Sequence, residues 1–123
     1  MILADTSVWV DHLRSGDGRL AALLEANRIV CHPLVVAEIA LGSLRDRADV
    51  LGLLDDLATA PMASIDEVRA LIEERKLFAR GIGLVDAALI ASCLLAPGTF
   101  LWTRDRRLAQ AADALNVGVD ETE

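Results

Sequence analysis

Residues 1–10 read MILADTSVWV, and this stretch decides the fold. Ile2 to Ala4 is short and aliphatic, as a buried strand requires. Asp5-Thr6-Ser7 follows at once and offers N-cap chemistry for a helix beginning near Val8, because its side-chain oxygens can satisfy the free N–H groups of a first turn. A strand passing straight into a helix is the first half of an α/β unit. Asp5 is also the only charged residue of the stretch.

The same alternation continues outward. Gly16 and Gly18 punctuate the chain, and Arg19 to Ala26 reads as a helix with Leu20, Leu23 and Leu24 on one face. Ile29 to Cys31 is a second strand, and Pro33 suits the first turn of a helix carrying Glu38. Ala48 to Ala58 is amphipathic and stops before Pro61. Met62 to Ser64 reads as a short strand, and Asp66 as the cap of a helix running to about Ala79. Gly81 and Gly83 form a turn before a helix from about Val85 to Leu95. Pro97-Gly98 turns into a strand over Thr99 to Trp102. Asp105 precedes a helix through about Leu115, and Gly118-Val119 reads as a last edge strand. Short strands alternating with helices imply an α/β fold with a mostly parallel sheet. At 123 residues the chain reads as one domain, 1–123.

Apolar residues make up 54% and charged residues 25%, a globular balance, while aromatics are only 3%, so the core must be aliphatic. No apolar run approaches the roughly 20 residues of a membrane span, and no secretory signal pattern opens the chain. Cys31 and Cys93 fall in expected core elements and read as buried thiols in a reducing cytoplasm. The net charge of -7 argues against broad electrostatic binding to nucleic acid. The basic residues, 11 Arg and one Lys, nevertheless cluster at Arg45 and Arg47, at Arg75, Lys76 and Arg80, and at Arg104, Arg106 and Arg107. Each group is either a solvated helix face or a set of phosphate contacts.

Two further acids share the isolation of Asp5. Glu38 is the only charged residue from Pro33 to Ser43, and Asp86 the only one between Arg80 and Arg104. An ionised carboxylate in apolar surroundings is costly unless paired, hydrogen-bonded or bound to a metal. Ligands of parallel α/β sheets bind at the carboxyl ends of the strands. Asp5 ends the first strand, Asp105 lies just past the last long one, and the helices carrying Glu38 and Asp86 could reach the same edge. Two carboxylates about 4 Å apart repel by about 4 kcal/mol at an effective dielectric of 20. A divalent cation would relieve that repulsion, and an all-oxygen set suits Mg²⁺, with Mn²⁺ a close relative. Plainer readings stand beside this one. Asp5 could only cap a helix, Asp86 could only favour a helix dipole, Glu38 could be a surface residue and Asp105 a loop acid.

The segments ILADTSVWVDHL, VVAEIALGSL, GIGLVDAALIASC and LWTRDRRLAQAADALNV together resemble the PIN-domain ribonucleases, specifically the VapC toxins of bacterial and archaeal toxin–antitoxin pairs. The likeness runs from about Ile2 to Val119 and is least characteristic from Ala48 to Ala79. It implies a PIN-like α/β/α sandwich and an Mg²⁺- or Mn²⁺-dependent endoribonuclease. It places metal-ligand and catalytic roles on Asp5, Glu38, Asp86 and Asp105, with Thr6 and Thr103 as polar neighbours of the site. It further implies RNA as substrate, products with a 5′-phosphate and a 3′-hydroxyl, a VapB-type antitoxin partner and a homodimer. Many relatives carry another acid two positions after the fourth, where this chain has Arg107.

Other readings are weighed on the same residues. A catalytically silent PIN-type module binding RNA or protein would be expected to lack one or more acids, and none is missing. A phosphoacceptor receiver domain needs a Lys after a late strand, whereas Lys76 falls in an expected helix. His12 and His32 have no zinc-ligand spacing and read as ordinary polar residues, His32 being the better outside candidate. Trp9 and Trp102 lie in apolar runs, which favours core packing over stacking on bases.

Overall fold

The computed structural model describes residues 1–119. Its element order is β1 (Ile2–Ala4), α1 (Thr6–Ser15), α2 (Gly18–Glu25), β2 (Ile29–Val30), α3 (Pro33–Ala40), α4 (Arg47–Asp55), α5 (Ile65–Glu74), α6 (Leu84–Leu95), β3 (Phe100–Trp102) and α7 (Arg106–Ala114). The strands form a parallel sheet in the order β2-β1-β3. Register aligns Leu3 with Val30 on one side and with Leu101 on the other, and Ala4 with Trp102. Single parallel bridges widen the sheet at both edges, Cys31 to Thr59 and Leu101 to Gly118. The architecture is the α/β/α arrangement of a parallel sheet covered by helices.

The core is aliphatic, as the scarcity of aromatics requires. Leu3, Leu20, Leu89, Ile90, Leu101 and Leu108 are fully buried. Leu3 and Leu101 stand on neighbouring strands of one register row, so removing either opens a cavity at the sheet's centre. Trp9 and Trp102 are also buried, which makes them packing residues with no face to offer a base. Cys31 and Cys93 are free and buried. Burial pushes the Cys31 thiol up and the Cys93 thiol up to about 12, so both stay protonated and inert at neutral pH. Among the described residues no helix is long and apolar enough to cross a membrane.

Helix ends follow local chemistry. Asp5, Asp17, His32 and Asp105 each cap the following helix with a side-chain acceptor. After α2, α5 and α7 the chain turns left-handed at Asn27, Lys76 and Asn116. The next N–H then reaches back, Arg28 to Leu23, Leu77 to Ile72 and Val117 to Ala112, and satisfies a carbonyl that the helix leaves open.

Three expectations fail in the middle of the chain. Met62–Ser64 is not a strand: the bridge to Cys31 falls earlier, with Cys31 N donating to Ala58 O at 2.7 Å and Ala60 N to Cys31 O at 2.8 Å. Pro61 follows and has no N–H with which to extend that pairing. Ser64, not Asp66, caps α5, through a capping box in which Glu67 N donates to Ser64 Oγ and Ser64 N to Glu67 Oε1. The helix ends at Glu74 rather than near Ala79, because Lys76 and Ala79 both adopt positive φ. The expected Gly118-Val119 edge strand is reduced to the single bridge with Leu101.

Candidate metal centre

The carboxyl ends of β1 and β3 lie side by side because Ala4 and Trp102 share a register row. Asp5 N donates to Trp102 O at 2.9 Å, which sets Asp5 against the chain leaving β3. Asp5 is buried, and its carboxylate is held from three directions. Ser7 Oγ donates to Oδ1 at 2.5 Å, Val8 N to Oδ1 at 3.3 Å, and Thr103 Oγ1 to Oδ2. The helix-cap role and the site role therefore belong to the same carboxylate. With about four lone-pair sites on a carboxylate and three in use, one on Oδ2 is left for a cation.

Thr103 also accepts from Asp105 N at 3.0 Å, so one buried hydroxyl joins the first acid to the fourth. Asp105 is exposed and caps α7, Oδ1 accepting from Arg107 N at 2.9 Å and Leu108 N at 3.3 Å. Glu38 projects from the second turn of α3, whose core-facing positions are Val35 and Ile39. Its apolar flanks suggested burial, yet Glu38 is exposed. Packing of α1 on α3 brings it to Thr6, whose Oγ1 donates to Glu38 Oε1 at 2.6 Å. Asp86 stands in the first turn of α6, Oδ2 accepting from Gly83 N at 3.2 Å.

Electrostatics connect the four. Burial pushes the Asp86 carboxyl up, the Gly83 N–H opposes this, and the charges of Asp105, Asp5 and Glu38 push it up further. All three other acids are thus close enough to repel Asp86. Among the described residues no three of these side chains are already gathered tightly enough to grip one ion. The donor set still fits a hard divalent cation: it is carboxylate oxygen throughout, and His32 is fully buried with both ring nitrogens hydrogen-bonded. Each acid also keeps oxygen capacity that no described group uses: Glu38 Oε2, Asp86 Oδ1, Asp105 Oδ2 and the second lone pair of Asp5 Oδ2.

Sequence reasoning missed Ser7 as a site residue. Its hydroxyl donates to Asp5 and accepts from Arg104 N at 3.0 Å, tying β3's exit to α1's first turn. The available signal was a hydroxyl two residues after a strand-ending Asp. Arg104 belongs to a basic group that the sequence leaves open as a solvated face or a set of phosphate contacts. Its guanidinium pairs with Asp11 at 2.7 Å and Asp17 at 2.5 Å, and both it and Arg19 lie over the Trp102 ring. The Asp17 carboxyl is held low, first by the Leu20 N–H it caps and also by Arg104. Arg107 lies across Gly81, whose φ of 77° and absent Cβ leave room for it: a Cβ there would stand 2.7 Å from Arg107 Cδ.

A family profile for the PIN domain matches residues 2–114. Two curated relatives, each named Ribonuclease VapC32, come from Mycobacterium tuberculosis strains CDC 1551 / Oshkosh and ATCC 25618 / H37Rv. Each is 49% identical to this chain over 121 residues, covering 98% of both sequences. With that match running across the strands and helices that carry all four acids, the chain belongs to the PIN-domain family, in its VapC branch.

Proposed function

We propose that this chain is a metal-dependent endoribonuclease and the toxin of a toxin–antitoxin pair, working through Asp5, Glu38, Asp86 and Asp105. The observation that carries the reading is geometric: Asp5 and Asp105 share the Thr103 hydroxyl beyond the carboxyl ends of β1 and β3, and Thr6, next to Asp5, holds Glu38. The name ribonuclease on relatives 49% identical over nearly the whole chain supports it.

The four acids would hold Mg²⁺ or Mn²⁺. When bound, such an ion supplies a more acidic water and stabilises charge on the phosphoryl and leaving oxygens. Thr103 and Ser7 fix the Asp5 carboxylate, and Thr6 orients Glu38. An acid oxygen free of hydrogen bonds would accept the proton of the attacking water; the P–O3′ bond would break in line and the departing 3′-oxygen take a proton from solvent, leaving a 5′-phosphate and a 3′-hydroxyl. Room for RNA lies beside the fourth acid, in a groove of about 850 Å³ lined in part by Thr103, Arg104, Asp105, Arg106 and Asn116. Arg106 is exposed at that groove and suits a backbone phosphate.

The antitoxin would present an Arg or Lys to the acid cluster. The exposed Leu41 and Leu53, near the Gly42–Arg47 connection, offer apolar contact for it. The chain is further read as a single domain and a homodimer, for which light scattering after size exclusion at micromolar concentration is the check. The function itself is tested by incubating purified, antitoxin-free protein with total bacterial RNA, with Mg²⁺, Mn²⁺ or EDTA. Discrete cuts that vanish with EDTA and in Asp5→Asn and Asp86→Asn are expected; cuts persisting under those conditions would overturn the acid mechanism.

A further inference from the structure

His32 and Ser92 are both fully buried and lie 60 residues apart, with His32 Nε2 and Ser92 Oγ separated by 3.0 Å. The surrounding bonds fix the direction of each proton. Leu34 N donates to His32 Nδ1 at 3.0 Å, so Nδ1 is unprotonated and Nε2 carries the hydrogen. His32 Nε2 therefore donates to Ser92 Oγ, which in turn donates to Ala88 O at 3.1 Å. The chain of bonds is fully satisfied and leaves neither side chain free for chemistry. Among the described residues it is the only hydrogen bond linking α3 or its cap to α6.

Its place in the fold gives it a consequence. His32 is the N-cap of α3, and Glu38 follows it by six residues. Ser92 lies in α6, six residues after Asp86. At 1.5 Å per helical residue, each acid stands about 9 Å along its helix from this tie. The main packing partners of the two helices differ, α1 and α4 for α3 but α5 and β3 for α6, while Leu34 of α3 also packs against a small cluster that includes Ala87, Ala88 and Ala91 of α6. The buried His32–Ser92 bond is thus a directional polar tie between the two acid-bearing helices, at comparable distances along each from Glu38 and Asp86.

We infer that His32 and Ser92 form a positioning pair that sets the separation of Glu38 and Asp86 and so the affinity of the site for its divalent cation. The inference rests on the reading of the four acids as a metal site. It concerns residues that touch neither metal nor RNA, so it predicts a change in metal dependence rather than in the chemical step.

The test separates the tie from the helix cap. His32→Asn keeps an N-cap acceptor for Leu34 but is too short to reach Ser92. Ser92→Ala removes the same bond from the other side. The double variant and Leu115→Ala, a buried position at the far end of α7, complete the set. The primary readout is the Mn²⁺ concentration at half-maximal thermal stabilisation, with RNA cleavage as the second. Each single variant is expected to raise that midpoint roughly tenfold, as loss of a supporting hydrogen bond around a metal site does. The double variant should add little more, since one tie is broken either way. Cleavage at saturating Mn²⁺ should change little, and Leu115→Ala should lower the melting temperature without moving the midpoint.

An unchanged midpoint in His32→Asn and Ser92→Ala, beside a normal wild-type response, would overturn the positioning role and leave a packing role. An equal shift in Leu115→Ala would overturn it as well. A wild-type protein that shows no Mn²⁺-dependent stabilisation would overturn the metal site itself, and the inference with it.

Discussion

The two halves of the acid cluster are built differently. Asp5 and Asp105 sit at strand ends and are joined through the buried Thr103 hydroxyl, so the sheet register places them. Glu38 and Asp86 ride on helices, each with a single described hydrogen bond to its carboxylate, and their separation depends on helix packing. The strand-borne half is rigid because parallel pairing fixes neighbouring residues by backbone bonds. In the helix-borne half the Asp86 carboxyl is pushed up, first by burial and then by the charges of Asp105, Asp5 and Glu38. One half is thus preset for a cation, and the other stands to gain most from its arrival.

The largest expected effects break each half outright. Asp5→Asn and Asp86→Asn should each lower RNA cleavage by at least about 100-fold, beyond the loss caused by a supporting residue. Their stabilities should diverge. Asp86→Asn removes a charge that burial and three neighbouring acids disfavour, so the ligand-free variant should melt higher than wild type near neutral pH. A lower melting temperature for Asp86→Asn would show that the helix-borne half is not under repulsion.

Next is Thr103→Val, which keeps the volume and deletes the hydroxyl shared by Asp5 and Asp105. It leaves part-buried groups unpaired and should cost about 1–3 kcal/mol in urea unfolding. Metal affinity should fall about 10-fold or more. Thr6→Val, acting on the exposed Glu38, should do less on both counts. Equal effects would erase the distinction between the halves.

The helix-borne half should also show a pH signature through His32. Burial holds its imidazole below the ordinary value near 6.5, and the neutral ring serves both Leu34 and Ser92. Below about pH 6.5 the unfolded chain takes up a proton that the folded one refuses, so stability falls as pH drops toward the depressed folded value. Above that window the term is fully present. His32→Asn should flatten this part of the profile relative to wild type in thermal melts; parallel profiles would mean the ring protonates without cost.

The smallest effect belongs to Arg104→Ala. Arg104 ties the α1–α2 connection to the exit of β3, but its side chain is 41% exposed and Asp11 46%. Surface ion pairs contribute about 0–1 kcal/mol, so urea denaturation should register a loss within that range. The shift should shrink further in high salt.

The sequence by itself determined the features that depend on near neighbours. Isolated acids in apolar runs marked Asp5, Glu38 and Asp86, and short aliphatic runs followed by capping residues marked β1 and its helix. These were legible because helix capping and side-chain periodicity act within a few residues. In the middle of the chain the expected cap Asp66 gives way to Ser64, which the sequence places in a short strand. Ser64 and Asp66 could each cap a helix, and only Ser64 has Glu67 three residues on to close the capping box. Tertiary structure alone decided the rest: Ser7 bracing Asp5 with Arg104, Thr103 joining two acids, and His32 meeting Ser92 across 60 residues. Such pairings depend on the strand order β2-β1-β3 and on helix packing, which no local window contains. Glu38 shows the limit most clearly, since its neighbours in sequence are apolar, yet packing turned its carboxylate to solvent and to Thr6.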